Sequence, residues 1–68
     1  METLGALTRR EMEIISLCAA GMSAKQIADE LNITTHTVEN HKDNIFKKLK
    51  VKSISELILY AFRVGLIS

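Results

Sequence analysis

Residues 23–49 read SAKQIADELNITTHTVENHKDNIFKKL, and this stretch decides the fold. Ser23 can cap a helix, with Gln26 three residues on to close a capping box. Ile27, Ala28 and Leu31 then share one helical face. Asn32 follows, a residue that tolerates the left-handed backbone of a tight turn. Ile33 can plug that turn into a core, and Thr34 can cap a second helix. Val38, Ile45 and Leu49 put an apolar stripe on the second helix. Ala28 is small where two steeply crossing helices must approach. A small residue, a turn-permissive residue four on and a β-branched residue six on are the grammar of a helix-turn-helix.

Outward from this core motif, the chain adds a helix on each side. Thr8, with Glu11 three residues later, caps a first helix over roughly 9–20. Met12, Ile15 and Ala19, flanked by Ile14 and Cys18, form its expected buried face, and Gly21 stands where a left-handed cap is common. The next two helices span roughly 24–31 and 35–49. Ser53 and Glu56 suggest a third capping box, opening a last helix over roughly 54–64 that Gly65 terminates. Leu66 and Ile67 can fold back as the apolar contact that follows such a cap. The expectation is a compact all-α domain of four helices over residues 7–68, with residues 1–6 a lead-in or linker remnant.

Sixty-eight residues allow one domain with a small core. Cys18 is the only cysteine, which excludes an internal disulfide and fits a reducing cytoplasm. The start METLGALTRREM lacks the apolar stretch of a signal peptide, and no apolar run approaches the ~18–20 residues of a membrane span. Net charge is +1, but unevenly spread. Residues 1–34 hold three basic and five acidic side chains, a balance of −2; residues 35–68 hold six basic and three acidic, a balance of +3. The lysines gather between Lys42 and Lys52, a modest footprint for phosphate, although lysines in a last helical turn also suit its dipole.

With Val38, Ile45 and Leu49 inward, the third helix exposes His36, Glu39, Asn40, Asp43 and Lys47. Such a face can read base edges. The Asn40 amide can bond N6 and N7 of adenine, Glu39 and Asp43 can accept from N4 of cytosine, and His36 can meet a base edge or a phosphate. Phosphate contacts are expected from the opening of the second helix at Ser23, Ala24 and Lys25, from Thr8, from Thr35 and Thr37, and from Asn44, Lys47, Lys48 and Lys52. His36 and His41 lie about 140° apart around one helix, which argues against a shared metal. No Ser-His-Asp or Cys-His arrangement suggests catalysis, so a non-enzyme without metal or cofactor is expected. On the fourth helix Leu57, Ala61 and Val64 form one stripe, while Ser55, Leu59 and Phe62 form another with Tyr60 beside it. A small domain that exposes a Leu/Phe stripe usually has a partner.

Taken together, Leu7-Thr8 with Arg10-Glu11, Gly21-Met22-Ser23, Gln26-Ile27-Ala28, Thr37-Val38, His41, Asn44-Ile45, Lys48-Leu49 and Gly65-Leu66 resemble the LuxR/FixJ-type helix-turn-helix domain, over Leu7 to Ile67. That family forms the DNA-binding output domain of many bacterial response regulators and quorum-sensing regulators, and also occurs as small stand-alone regulators. The resemblance implies sequence-specific binding of double-stranded DNA in transcription regulation. It implies bases facing Glu39, Asn40 and Asp43, and backbone near Thr37, Asn44 and Lys48. It also implies a weak homodimer through the last helix that strengthens on DNA. RNA polymerase is a further partner in view, as is an N-terminal receiver or ligand-binding domain if the chain belongs to a longer regulator. The chain departs from the family pattern at Glu39, usually lysine, and at Lys42, commonly apolar. Two acids on the reading face keep a rival in play: a helix-turn-helix that docks on protein, such as an anti-activator, without binding DNA. A region-four fragment of a sigma factor fits the GLI ending and the fourth helix poorly.

Overall fold

Each helix of the domain starts on a hydroxyl and ends on a left-handed residue or its neighbour. The computed structural model describes residues 7–66; the expected lead-in and Ile67 lie outside the described residues. Among these, four helices and no strand occur: α1 (Arg9–Ala19), α2 (Ala24–Leu31), α3 (Thr35–Leu49) and α4 (Ile54–Arg63). The expected ends at Ala20 and Val64 are the C-caps of α1 and α4 rather than helical residues.

The N-termini follow the hydroxyl-cap rule. Thr8 Oγ1 accepts from the Glu11 N–H at 3.1 Å, and Thr8 N–H donates to Glu11 Oε1 at 2.9 Å. Ser23 and Gln26 repeat this reciprocal box at α2. At α3, Thr34 Oγ1 accepts from the Thr37 N–H at 3.1 Å and shares a 2.9 Å hydrogen bond with the Thr37 hydroxyl. The expected box at α4 is only half formed. Ser53 Oγ accepts from the Glu56 N–H, but the Glu56 carboxylate reaches past Ser53 to the Lys52 N–H at 2.8 Å.

All four C-termini close with the same reach-back. Met22 N–H donates to Leu17 O, Ile33 to Ala28 O, Val51 to Phe46 O and Leu66 to Ala61 O. Each closure requires a residue at positive φ just before the donor. Gly21 (φ 89°) and Gly65 (φ 83°) meet that need without strain, while Asn32 (φ 59°) and Lys50 (φ 57°) meet it against the cost borne by a Cβ. Asn32 is the expected turn residue; Lys50 is not signalled by its residue type. Lys50 is exposed, so Lys50→Gly removes strain without removing packing. Its thermal melt should show a gain of ~0.5–1 kcal/mol, the backbone entropy of glycine offsetting part of the benefit.

α1 is the central element: it packs on α2, α3 and α4, and α2 packs on α3. The core consists of Leu7, Ile14, Ile15, Cys18, Ile27, Ala28, Val38, Ile45, Leu49, Leu57 and Ala61. The buried face of α1 lies within the expected one and is narrower than expected. Ile14, Ile15 and Cys18 are buried, whereas Met12 and Ala19 at the edges of that face are half-buried. On α4, Leu57 and Ala61 are buried as expected, but Val64 is half-buried at the cap. Tyr60 packs partly against the core instead of joining the outer stripe.

Candidate nucleic-acid interface

α2 and α3 meet through a three-residue turn, Asn32 to Thr34, held by the Ile33 N–H on Ala28 O at 3.0 Å. Ile33 is partly buried against the core, so the turn is pinned from inside. Val38, Ile45 and Leu49 bury the inner face of α3. The outer face then presents His36, Glu39, Asn40, Asp43 and Lys47, all exposed, as the apolar spacing required. This is a polar strip of alternating capability on a rigid, capped helix. It offers an amide, two carboxylates, an imidazole and an ammonium within fewer than four turns.

The expected backbone contacts fall into two groups. Ser23, Lys25, Thr35, Asn44, Lys47 and Lys52 are exposed, as is Thr8 at the opening of α1, while Ala24 is half-buried. The capping box of α2 uses the N–H groups of Ser23 and Gln26. Those of Ala24 and Lys25 remain as the N-terminal donors of that helix. Thr37 is half-buried, and its hydroxyl is engaged with Thr34.

Lys48 belongs to a buried linkage that sequence reading missed. Its Nζ donates to Glu11 Oε1 at 2.8 Å. Glu11 is only 3% exposed, and the same oxygen accepts from the Thr8 N–H. One carboxylate thus ties the first turn of α1 to the last turn of α3. Burial alone would raise the Glu11 pKa. The Lys48 hydrogen bond, the Thr8 N–H and the charges of Lys48 and His41 outweigh it and hold the carboxyl below its ordinary value. No local signal could have found a pair 37 residues apart. Lys48 therefore brings an ammonium to this end of α3 whose charge is already compensated by Glu11.

Elsewhere on α3, the Lys42 ammonium stands 3.9 Å from the Glu39 carboxylate, a neighbour pair that the i,i+3 spacing could have signalled. Burial raises the pKa of the Cys18 thiol on α1, with Lys42 lowering it and Glu39 raising it to smaller extents. His41 is half-buried, as expected. Among the described residues no group of three or more His, Cys, Asp or Glu side chains could hold a metal ion, and no helix is long and apolar enough to cross a membrane.

A second surface lies on α4, which carries none of the polar strip of α3. Leu59 is 49% and Phe62 59% exposed. With Ser55 and Ile58 they line a shallow groove whose other wall is the end of α1 at Ser16, Ala19 and Ala20. The stripe predicted from sequence is therefore one wall of a groove, and the small residues of α1 form the wall that was missed.

Comparison with known proteins places the chain in a family. A family model described as bacterial regulatory proteins, luxR family, matches residues 5–61. The response regulator protein VraR of Staphylococcus aureus is 46% identical over 61 residues, covering 90% of this chain and 29% of that protein. VraR of Staphylococcus saprophyticus matches to the same extent. The chain thus spans about 29% of the length of these curated relatives. Among solved structures, the transcription factor GerE superposes with a TM-score of 0.85 at 42% identity, covering 91% of this chain and 92% of that one. The response regulator ChrA, of a heme-sensing two-component system, gives a TM-score of 0.86 at 37% identity over 91% of this chain and 31% of its own.

Proposed function

This chain belongs to the luxR family of bacterial regulatory proteins, and from that membership we propose that it binds double-stranded DNA sequence-specifically to regulate transcription. α3 enters the major groove. The observation that carries this reading is the exposed strip His36, Glu39, Asn40, Asp43 and Lys47 on a helix whose opposite face is fully buried. A helix held so firmly from behind can place side chains at base edges with little loss of freedom on binding. Asn40 reads adenine, the two carboxylates favour cytosine, and His36 meets a base edge or a phosphate. Thr8, Ser23, Ala24, Lys25, Thr35, Thr37, Asn44, Lys47, Lys48 and Lys52 serve the backbone and fix register.

Two copies associate through α4, with Ser55, Leu59 and Phe62 at the contact. The exposed apolar groove supports this, since a two-fold contact would cover the same patch on both subunits. Such a contact is short, one helix and a groove wall against another, so association is weak in free solution and strengthens on a site with two half-sites. RNA polymerase is the partner downstream. Wherever the domain stands in a longer chain, a receiver or ligand-binding domain supplies the signal upstream.

Selection of bound duplexes from a randomised pool, followed by titration at several salt concentrations, tests this reading. Binding should weaken steeply with salt, because lysines displace condensed counterions. Asn40→Ala should cost ~1–3 kcal/mol on the selected site and relax one base position. Affinity that ignores salt, or a pool that yields no preferred site, points instead to a module that docks on protein. An unchanged site with Asn40→Ala means that α3 lies in the groove by another face.

A further inference from the structure

The reading strip of α3 carries two carboxylates, Glu39 and Asp43, where phosphates crowd together. A bare carboxylate in a DNA groove repels the backbone on both sides. Glu39 is not bare: the Lys42 ammonium lies 3.9 Å from its Oε1. The two partners differ in freedom, with the Lys42 side chain 21% exposed and that of Glu39 54%. Lys42 lies on α3, which packs on α1, and the charges of both Lys42 and Glu39 act on the buried Cys18 thiol of α1. A lysine stem that is mostly covered has already lost much of its rotamer freedom, so pairing costs less entropy than between two free surface side chains. The other lysines of α3 are disposed differently. Lys48 is bound to Glu11, and Lys47 is exposed within the strip itself.

We infer that Lys42 is a positioning residue that sets base specificity through Glu39: it neutralises the carboxylate from behind and orients it to accept the N4 hydrogen of a cytosine. The inference rests on α3 lying in the major groove. Neutralisation removes the general penalty against phosphate, while the carboxylate oxygens that face outward still require a donor. Cytosine N4 supplies one. Guanine offers only acceptors on that edge, and the N6 donor of adenine stands beside the N7 acceptor. The pair therefore turns an unfavourable charge into a selective one.

The test uses five forms of the domain: the natural chain, Lys42→Met, Lys42→Arg, Glu39→Gln and the double variant Glu39→Gln/Lys42→Met. Methionine keeps a long apolar stem and removes the charge. Each form is put through selection from a randomised duplex pool, then titrated on the selected site and on that site changed at one position. The natural chain should select cytosine at the position facing Glu39. Glu39→Gln should shift that position to adenine, because an amide can bond N6 and N7 together. Lys42→Met should bind the cytosine site about fivefold more weakly and discriminate less against other bases, the size expected for one partly exposed ion pair. In the Glu39→Gln background the same change should alter affinity by less than about twofold. With Glu39 in place, Lys42→Arg should keep both the affinity and the preference of the natural chain. Thermal melts of all five forms keep loss of folding separate from loss of reading. Equal losses from Lys42→Met in both backgrounds would mean that Lys42 binds phosphate on its own account, which overturns the inference. Undiminished cytosine preference in Lys42→Met overturns it as well. Failure of the natural chain to bind any duplex would instead overturn the DNA-binding reading beneath it.

Discussion

Lys48→Met should remove most of the stability of this domain. The substitution leaves the Glu11 carboxylate, 3% exposed, without its cationic partner. Breaking a buried pair by removing one member typically costs ~3–5 kcal/mol. Lys48 is a third exposed, so water can reach the orphaned oxygen in part, and we expect ~2–4 kcal/mol. A core of this size supplies only about 3–5 kcal/mol in all. The melting temperature should therefore fall by about 10–25 °C. Glu11→Gln keeps an oxygen for the Thr8 N–H and removes the charge, so the double variant Glu11→Gln/Lys48→Met should melt well above Lys48→Met alone. If the double variant is no more stable, the cost lies in lost packing and not in the stranded charge. The pH dependence has a definite sign. The folded-state pKa of Glu11 is lowered, so its contribution is present above the ordinary glutamate range. That contribution is lost as pH falls through the lowered value. Below about pH 4 the natural domain should lose stability faster than Glu11→Gln does.

Leu59→Asp should leave the fold intact and cut affinity for a paired DNA site by about a hundredfold, the low end of the gain that linked binding usually brings. Leu59 is half exposed and outside the core, so its replacement removes little buried surface. In the proposed dimer, however, the aspartate of each subunit would be placed in the apolar groove walled by Ile58, Phe62 and the small residues of α1. Two carboxylates brought together in a dry contact are strongly unfavourable. Binding to a single half-site should stay within a factor of about two, because α4 packs chiefly on α1 and carries none of the strip on α3. Sedimentation, thermal melting and titration on single and paired sites decide the matter together. A variant that unfolds assigns Leu59 to the core. A variant that keeps cooperative binding moves the dimer contact off α4.

Both results turn on features of different legibility. The four helices were readable because their signals are local: hydroxyl caps at Thr8, Ser23, Thr34 and Ser53, turn residues at Gly21, Asn32 and Gly65, and apolar spacing between them. The inner and outer faces of α3 follow from that spacing, so the exposed strip from His36 to Lys47 was legible before any contact was known. The outer stripe of α4 was legible too, since one helix in so small a domain can bury only one face. The luxR family membership rests on the same local pattern laid out in order along the chain.

What the sequence left open depended on distance between elements. Glu11 reads as a cap residue, and only the approach of α3 to α1 makes it the buried partner of Lys48, 37 residues away. Lys50 gives no sign of a left-handed backbone, because the turn into α4 imposes that conformation from outside the residue. The groove beside Leu59 and Phe62 exists only once the end of α1 is laid against α4. Short-range periodicity and capping, set by the geometry of a single helix, determined which segments are helical and which face of each is apolar. The angles and distances between helices are set by how side chains of different elements interlock. They alone decided that α1 faces three neighbours, that Met12 and Val64 are only half-buried, and that one lysine of the basic cluster is bound to a buried acid.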